Sequence, residues 1–339
     1  KSCPDHNELS AKKIGRRISN RIMQPDGRGK AMKNRSERLA YAAAIGHTFI
    51  TGLSFMFSKI GLGYSTPWDL LAYRFTASFI AVMIPVALRW ISFDFTRERV
   101  KKILPLALFY PLSFFAFQTF GLQYLTSSEA SILLASMPVF TLILASYFLR
   151  EETSLLQKLS VMLSVAGVVY ITANKGASLN FTNIKGVTMI LLSALSFSVY
   201  SILVKKLARN FTILEMSYIM IVISFIFFNA MSLARHVIKG TAGSFFAPLS
   251  EPGFIVAFVY LGVLSSLVTS LLTNYALSKI DASKMCVFTN LSTVISIIAG
   301  VVFLKENIYF YHLIGSLMII SGVVGTNCFC KRDKNSCNR

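Results

Sequence analysis

The sequence predicts an all-α integral membrane protein of ten transmembrane helices, arranged as two inverted five-helix repeats. Three observations carry this expectation. First, the chain of 339 residues is 54% hydrophobic and only 14% charged, with a mean hydropathy of +0.59, whereas a soluble chain carries about 25% charged residues. Second, the apolar content recurs in runs of roughly 20 residues, the length a helix needs to cross a hydrocarbon core about 30 Å thick. Third, two stretches are versions of each other. Glu129-Ala130-Ser131 opens a run ending Phe148-Leu149-Arg150-Glu151, with Gly167-Val168-Val169 in the next run; Asp281-Ala282-Ser283 opens one ending Phe303-Leu304-Lys305-Glu306, with Gly322-Val323-Val324 in the next.

The apolar runs are 39–59, 67–90, 103–122, 127–149, 155–173, 186–207, 214–234, 254–277, 285–304 and 309–328. None shows the period-two alternation of a barrel strand, and in lipid the backbone must satisfy its own hydrogen bonds, so each reads as a helix. Pro138 in the fourth removes a backbone hydrogen bond and should kink it; the ninth has no proline at the matching position, near Thr293. The eighth is the most polar, with Ser265, Ser266, Thr269, Ser270, Thr273 and Asn274 on one side.

The formal net charge is +19. Such a balance can mean nucleic acid, but here the cations sit in tails and loops. Lys12, Lys13, Arg16, Arg17, Arg21, Arg28, Lys30, Lys33, Arg35 and Arg38 precede the first run. Arg97, Arg99, Lys101 and Lys102 follow the second run, Lys205, Lys206 and Arg209 the sixth, and Lys331, Arg332 and Lys334 the last. Fewer lie on the other side: Lys59, Lys175, Lys185, Arg235, Lys239 and Lys305. The positive-inside rule then places both termini in the cytoplasm, the protein being multi-pass in the cytoplasmic membrane. Cys3, Cys328, Cys330 and Cys337 fall in or beside the tails and Cys286 at a helix start, so free thiols are expected rather than an extracellular disulfide or a metal site. Residues 1–38 read as a disordered basic tail, not a signal peptide. It would be attracted to anionic lipid, and Met32 or Met23 is the expected translation start.

The polar stretch 175–185 divides the chain into halves 39–174 and 186–330, with a short tail 331–339. Five helices per half bring the second half in from the opposite face, hence inversion, and a repeat of membrane helices is a signature of secondary carriers. Leu53-Ser54-Phe55 in the first run is matched by Leu195-Ser196-Phe197 in the sixth. With Arg74-Phe75 in the second run and the paired Phe-Leu-basic-Glu helix ends, the chain from about Leu39 to Phe329 resembles the drug/metabolite transporter superfamily, EamA type. That resemblance implies transport of small metabolites, often amino acids and commonly outward, with the fourth and ninth helices around a central cavity and the fifth and tenth more peripheral.

There is no GxxxxGK[ST] phosphate loop, no His-Glu-x-x-His and no nucleophile elbow, so neither ATP-driven pumping nor enzymatic activity is expected. Candidate substrate contacts are the polar and aromatic residues inside the runs. Arg74 lies seven residues past Pro67, roughly 10 Å deep. A charge at that depth costs about 2.5–3.5 kcal/mol on insertion scales and defaults to function. It would anchor a carboxylate or another anionic group; the plainer reading is snorkelling outward, or pairing with Asp69 or Glu129. His47 could carry a proton or serve as interhelical glue. Gln118, Gln123, Asn274 and Asn290 could orient substrate, and Tyr73, Tyr200, Trp68, Phe114, Phe117 and Phe288 could line a cavity. Glu129 and Asp281 are expected to cap the fourth and ninth helices, and Glu151 and Glu306 to be solvated. Sparse intramembrane carboxylates favour facilitated or exchange transport by alternating access over a dedicated proton relay. Expected partners are a small-molecule substrate and membrane lipids, with no nucleic acid and no cofactor; a homodimer stays open. A drug-like or nucleotide-type substrate is the alternative, and a membrane-embedded lipid enzyme or a channel the lesser ones.

Overall fold

The computed structural model describes residues 27–87, 96–149, 154–174, 181–207, 211, 213–277 and 282–328, and every regular element among them is helical. In chain order these are α1 (Gly27–Tyr64), α2 (Pro67–Ala87), α3 (Arg97–Ala107), a π-helical stretch (Leu108–Ser113), α4 (Phe114–Gly121), α5 (Ser127–Leu134) and α6 (Met137–Leu149). They continue with α7 (Leu155–Asn174), α8 (Phe181–Leu207), α9 (Ile213–Lys239), two 3-10 turns (Ala242–Phe245 and Ala247–Ser250) and α10 (Pro252–Val259). A second π stretch (Tyr260–Val268), α11 (Thr269–Leu277), α12 (Ala282–Leu304) and α13 (Phe310–Cys328) complete them.

Among the described residues, six helical stretches are long and apolar enough to cross a membrane: Glu37–Tyr64, Glu98–Gly121, Ser127–Phe148, Ile184–Val204, Glu215–Lys239 and Pro252–Thr273. Leu155–Ile171, Leu291–Leu304 and Phe310–Gly325 are shorter apolar helices. Large apolar side chains such as Tyr147, Met162, Phe303 and Leu317 stand on the outside, the arrangement that lipid tolerates and water does not.

Three elements depart from the sequence expectation. The first helix begins at Gly27 rather than near Leu39, so part of the tail is helical. Once a span is nucleated, each added residue makes one more hydrogen bond, and Lys30, Ala31, Met32, Lys33, Arg35 and Glu37 all propagate helix well. The linker 175–185 is likewise shortened, because α8 starts at Phe181. The fourth run does not kink at Pro138 but breaks just before it, at Ala135 and Ser136, where Ser136 N–H bonds Leu133 O at 3.1 Å. Pro138 then sits in the first turn of α6, where its missing N–H has no intrahelical partner to lose. α12, lacking a proline, runs on unbroken.

The packing repeats itself. α8 lies against α4 and α6 of the other half, and α1 lies against α11 and α12. α2 packs on α9, α5 on α12 and α7 on α13. The third apolar run of each half carries a π stretch. At the α7–α13 crossing a Cβ on Gly167 would lie 2.8 Å from Gly315 O and 2.9 Å from Ile319; one on Gly322 would lie 2.5 Å from Ser160 O and 2.7 Å from Ser164 N. Gly167 and Gly322, Ser160 and Gly315, and Ser164 and Ile319 are each 155 positions apart, so the two ends of the crossing are copies of one contact. Without a hydrophobic force between helices in lipid, such backbone approach is what holds them. The buried centre, Leu71, Phe75, Leu133, Ile190 and Phe228 among others, joins both halves.

The crossing yields a test. At Gly322 an added methyl meets backbone that cannot step aside, while at Gly63 it meets nothing within 4 Å. Gly322→Ala should cost about 1–3 kcal/mol as overpacking and lower the thermal midpoint of the detergent-solubilised protein by several degrees. Gly63→Ala should leave the midpoint unchanged or raise it slightly.

Candidate functional site

The site starts from the second π stretch. A π turn widens the helix, and here it carries Gly262, where a Cβ would fall 2.5 Å from Arg74 O and 2.6 Å from Ala77 Cβ. α2 therefore presses onto bare backbone, and Ser78 Oγ–H is shared between Gly262 O at 2.9 Å and Arg74 O at 3.0 Å. This contact points the Arg74 side chain along the polar side of the eighth run. Arg74 Nε donates to Ser266 Oγ at 3.2 Å and Nη2 to Ser265 Oγ at 3.3 Å. Ser266 spends its own hydroxyl hydrogen on Leu261 O, which leaves its oxygen to accept. The guanidinium carbon stands 3.9 Å from the centroid of the Phe115 ring, close enough for a cation–π contact.

Arg74 is 3% exposed and has no carboxylate partner among the described residues. Asp69 is occupied by His236, Ser232, Thr66 and Arg235, and Glu129 meets Thr126 and His312. The guanidinium is buried inward rather than snorkelling, so of the readings open from sequence the structure favours an unspent cation. A buried charge satisfied only by two hydroxyls and a ring is costly, which marks such groups as functional.

The polar side of the eighth run extends from there. Thr269 lies one turn after Ser265, and Thr273 Oγ1 is 2.9 Å from His47 Nδ1 on α1. From Ser266 to Thr273 the rise is roughly 10 Å, so Arg74 and His47 stand at two ends of one polar stripe. Gln118 is 7% exposed and its amide makes no hydrogen bond among the described residues. It follows Phe115 by three positions and so shares its side of α4.

An aromatic group closes the other side. Tyr110 has extended torsions (φ −142°, ψ 122°) inside the first π stretch. Its ring reaches Tyr200 at 4.9 Å, Phe197 at 5.4 Å and Phe115 at 5.6 Å. Tyr200 thus joins the Arg74 neighbourhood through Tyr110 and Phe115. Tyr73 does not: one residue round the helix, its hydroxyl donates to Phe245 O at 2.8 Å and its ring stacks on Phe245 at 4.8 Å. Asn274 and Asn290 lie on α11 and α12, but their side chains are outside the described residues. Trp68 packs edge-on against Phe120. Sequence reasoning missed Phe115 and Tyr110. Tyr110 carried a signal, since a residue before proline is pushed to extended torsions; Phe115 carried none.

A second polar assembly surrounds the start of α5. Thr126 and Glu129 form a reciprocal capping box, as expected for Glu129; Asp281 and Glu151 lie outside the described residues. Glu306, expected in solvent, instead accepts from Ser127 N–H at 2.7 Å, Ser128 N–H at 3.1 Å and Ser128 Oγ–H at 2.6 Å. The reason is the left-handed Lys305 (φ 53°), which turns the chain back so that Glu306 N–H bonds Gly300 O. Its carboxylate then meets the positive end of α5. Lys59, counted from sequence as a loop cation, donates to Leu122 O and Leu125 O at 2.7 Å each and so closes the carboxyl end of α4.

Comparison with known proteins agrees with this architecture. The model of the EamA-like transporter family matches twice, over residues 38–173 and 184–328. The chain is 49% identical over 288 residues to uncharacterized transporter YcxC of Bacillus subtilis (strain 168), covering 85% of this chain and 92% of that one. It is 24% identical over 277 residues to an uncharacterized transporter of Archaeoglobus fulgidus, covering 80% and 92%. A crystal structure with 18% identity matches with a TM-score of 0.57 over 86% of this chain and 98% of its own; at that identity the likeness concerns the fold alone.

The Glu306 contacts make a direct test. Glu306→Ala removes three charge-assisted hydrogen bonds and should cost about 1–3 kcal/mol, read as a lowered melting temperature. A solvated side chain would leave the melting curve where it was.

Proposed function

This chain belongs to the EamA-like transporter family, and from that premise we propose that it is a secondary carrier moving small metabolites, amino acids among them, by alternating access. It is a multi-pass membrane protein and a transporter rather than an enzyme. The finer reading is ten spans in two inverted halves in the cytoplasmic membrane, with both termini inside. It is supported by the double family match, the repeated helix partners and the α7–α13 crossing made of one contact used twice. The excess of Lys and Arg in alternate loops supports the orientation.

One observation carries the site. Arg74 is buried between the two halves, held by Ser265, Ser266 and Phe115, with its charge uncompensated among the described residues. A carboxylate or other anionic solute group would supply the missing partner. Gln118 and the hydroxyls toward His47 would read the rest of the molecule, with Tyr110 and Tyr200 bounding it. Asn274 and Asn290 stay candidates by their positions on α11 and α12; Tyr73 supports the site from outside. Because α2 belongs to one half and the π stretch to the other, a solute bound at Arg74 feels any rocking between them.

Uptake into proteoliposomes of pooled amino acids and other small metabolites tests this. Saturable, competed uptake of a carboxylate-bearing solute is expected. Arg74→Ala should weaken it roughly 10–100-fold, as for the loss of a charged hydrogen-bond partner; Arg74→Lys, which keeps the charge without the fork, should recover part. Uptake equal in wild type and Arg74→Ala would discard this site, and flux that never saturates would favour a channel. A drug-like or nucleotide-type solute taken up instead would move the substrate class.

A further inference from the structure

We infer that the solute held at Arg74 is a monoanion: an organic acid with one carboxylate, an apolar or aromatic body and no ammonium group. The inference rests on the carrier reading above and narrows its solute class, so that a des-amino acid is bound in preference to the matching amino acid.

The middle of the apolar runs holds no negative side chain. Leaving aside the first and last four residues of each of the ten runs, the Asp, Glu, His, Lys and Arg side chains inside them are Arg74 and His47 alone. The carboxylates of the runs stand at their starts: Asp69 is the third residue of the second run, Glu129 the third of the fourth and Glu215 the second of the seventh. Each is also engaged there. Asp69 meets Thr66, Ser232, Arg235 and His236, Glu129 meets Thr126 and His312, and Glu215 pairs with Arg99 at 3.1 Å. Asp69 shares α2 with Arg74 but stands five positions from it, a rise of roughly 7.5 Å. The interior around Arg74 is therefore positive or neutral, whichever form His47 takes.

The Arg74 side chain is set for one planar anion. Nε and one Nη2 hydrogen go to Ser266 and Ser265. Nη1 and the second Nη2 hydrogen make no hydrogen bond among the described residues. They are a pair of donors with which a guanidinium grips a carboxylate in two parallel bonds. The surroundings suit an apolar body. Phe115 lies 3.9 Å from the guanidinium carbon, Phe114 is 4.8 Å from Phe115, and Tyr110 reaches both Phe197 and Tyr200. A ring or branched chain beside the carboxylate would meet aromatic surface there.

A carboxylate on Arg74 brings the pair to zero net charge. A zwitterion brings an ammonium with its carboxylate, and the site keeps its positive charge. That ammonium carries three donors into a region whose side-chain acceptors are neutral, the hydroxyls and amide of Tyr110, Gln118, Tyr200, Thr269 and Thr273. Neutral acceptors offset part of the cost of burying a cation, and a counter-charge offsets the rest. The monoanion has no such cost to meet.

Binding to the full chain in nanodiscs, read by isothermal titration calorimetry at neutral pH, tests this without interference from free acid crossing lipid. Hydrocinnamate differs from phenylalanine, and isocaproate from leucine, by the ammonium group alone. Each acid is expected to bind at least about tenfold more tightly than its amino acid. Hydrocinnamamide, the same body without the charge, should bind at least about tenfold more weakly than hydrocinnamate. Arg74→Gln should lose the acids, and the ligand series decides the matter on wild type alone where that variant does not fold. An amino acid bound as tightly as its des-amino partner, or the amide as tightly as the acid, overturns the inference. So does saturable, competed uptake of any solute by a protein that binds neither acid. In each of these cases the carrier reading stands. A protein that binds none of these compounds and takes up nothing from the pooled set overturns the carrier reading and the inference with it.

Discussion

In hydrocarbon there is no water to complete a hydrogen bond, and this constraint shapes every unusual feature of the chain. Several breaks in the helical ladders among the described residues are answered by a specific group. Lys59 covers the end of α4. Glu306 and the Thr126–Glu129 box cover the start of α5. Most buried serines and threonines inside the helices bond back to a carbonyl one turn earlier, as Thr48, Ser58 and Ser224 do. The Ser127, Ser164 and Ser296 hydroxyls are buried without a hydrogen-bond partner among the described residues; the Arg74 guanidinium stands apart for a different reason, with hydroxyls and a ring where a carboxylate would sit.

The same constraint decides how helices approach. Apolar side chains gain nothing by leaving lipid for protein, so close backbone contact must supply the attraction. Gly262 against α2 and the α7–α13 glycines do this work at different places. The first brings Arg74 to the π stretch, where the candidate site lies; the others fasten α7 to α13.

Much of the fold was legible because length and hydropathy speak directly to membrane crossing. The apolar runs, the internal repeat and the family follow from residues that act locally or recur in order. Arg74 was legible for the same reason, a charge where charges are rare. What stayed hidden depended on partners distant in sequence. His236 and Asp69 are far apart along the chain, and no spacing rule joins them. Glu306 looked solvated because it ends an apolar run, and only the reversal at Lys305 carries it back to Ser127 and Ser128. Tyr73 and Arg74 are neighbours in sequence, yet a step of about 100° around the helix sends them to different surroundings. Pro138 was read correctly as a disruption but placed one turn late, since proline is more easily housed at the start of a new helix than inside an old one.

The broken α5–α6 and the unbroken α12 are counterparts in the repeat but not in backbone. A machine of two identical halves would rest as often facing one side as the other. In the alternating-access carrier proposed above, one half would bend at a ready-made joint and the other only by straining a continuous ladder, so its two resting populations would differ. A difference of about 1.4 kcal/mol is a tenfold bias. The turn at Ala135 and Ser136, far smaller than any substrate pocket, would be enough to give such a carrier a preferred direction in which to wait.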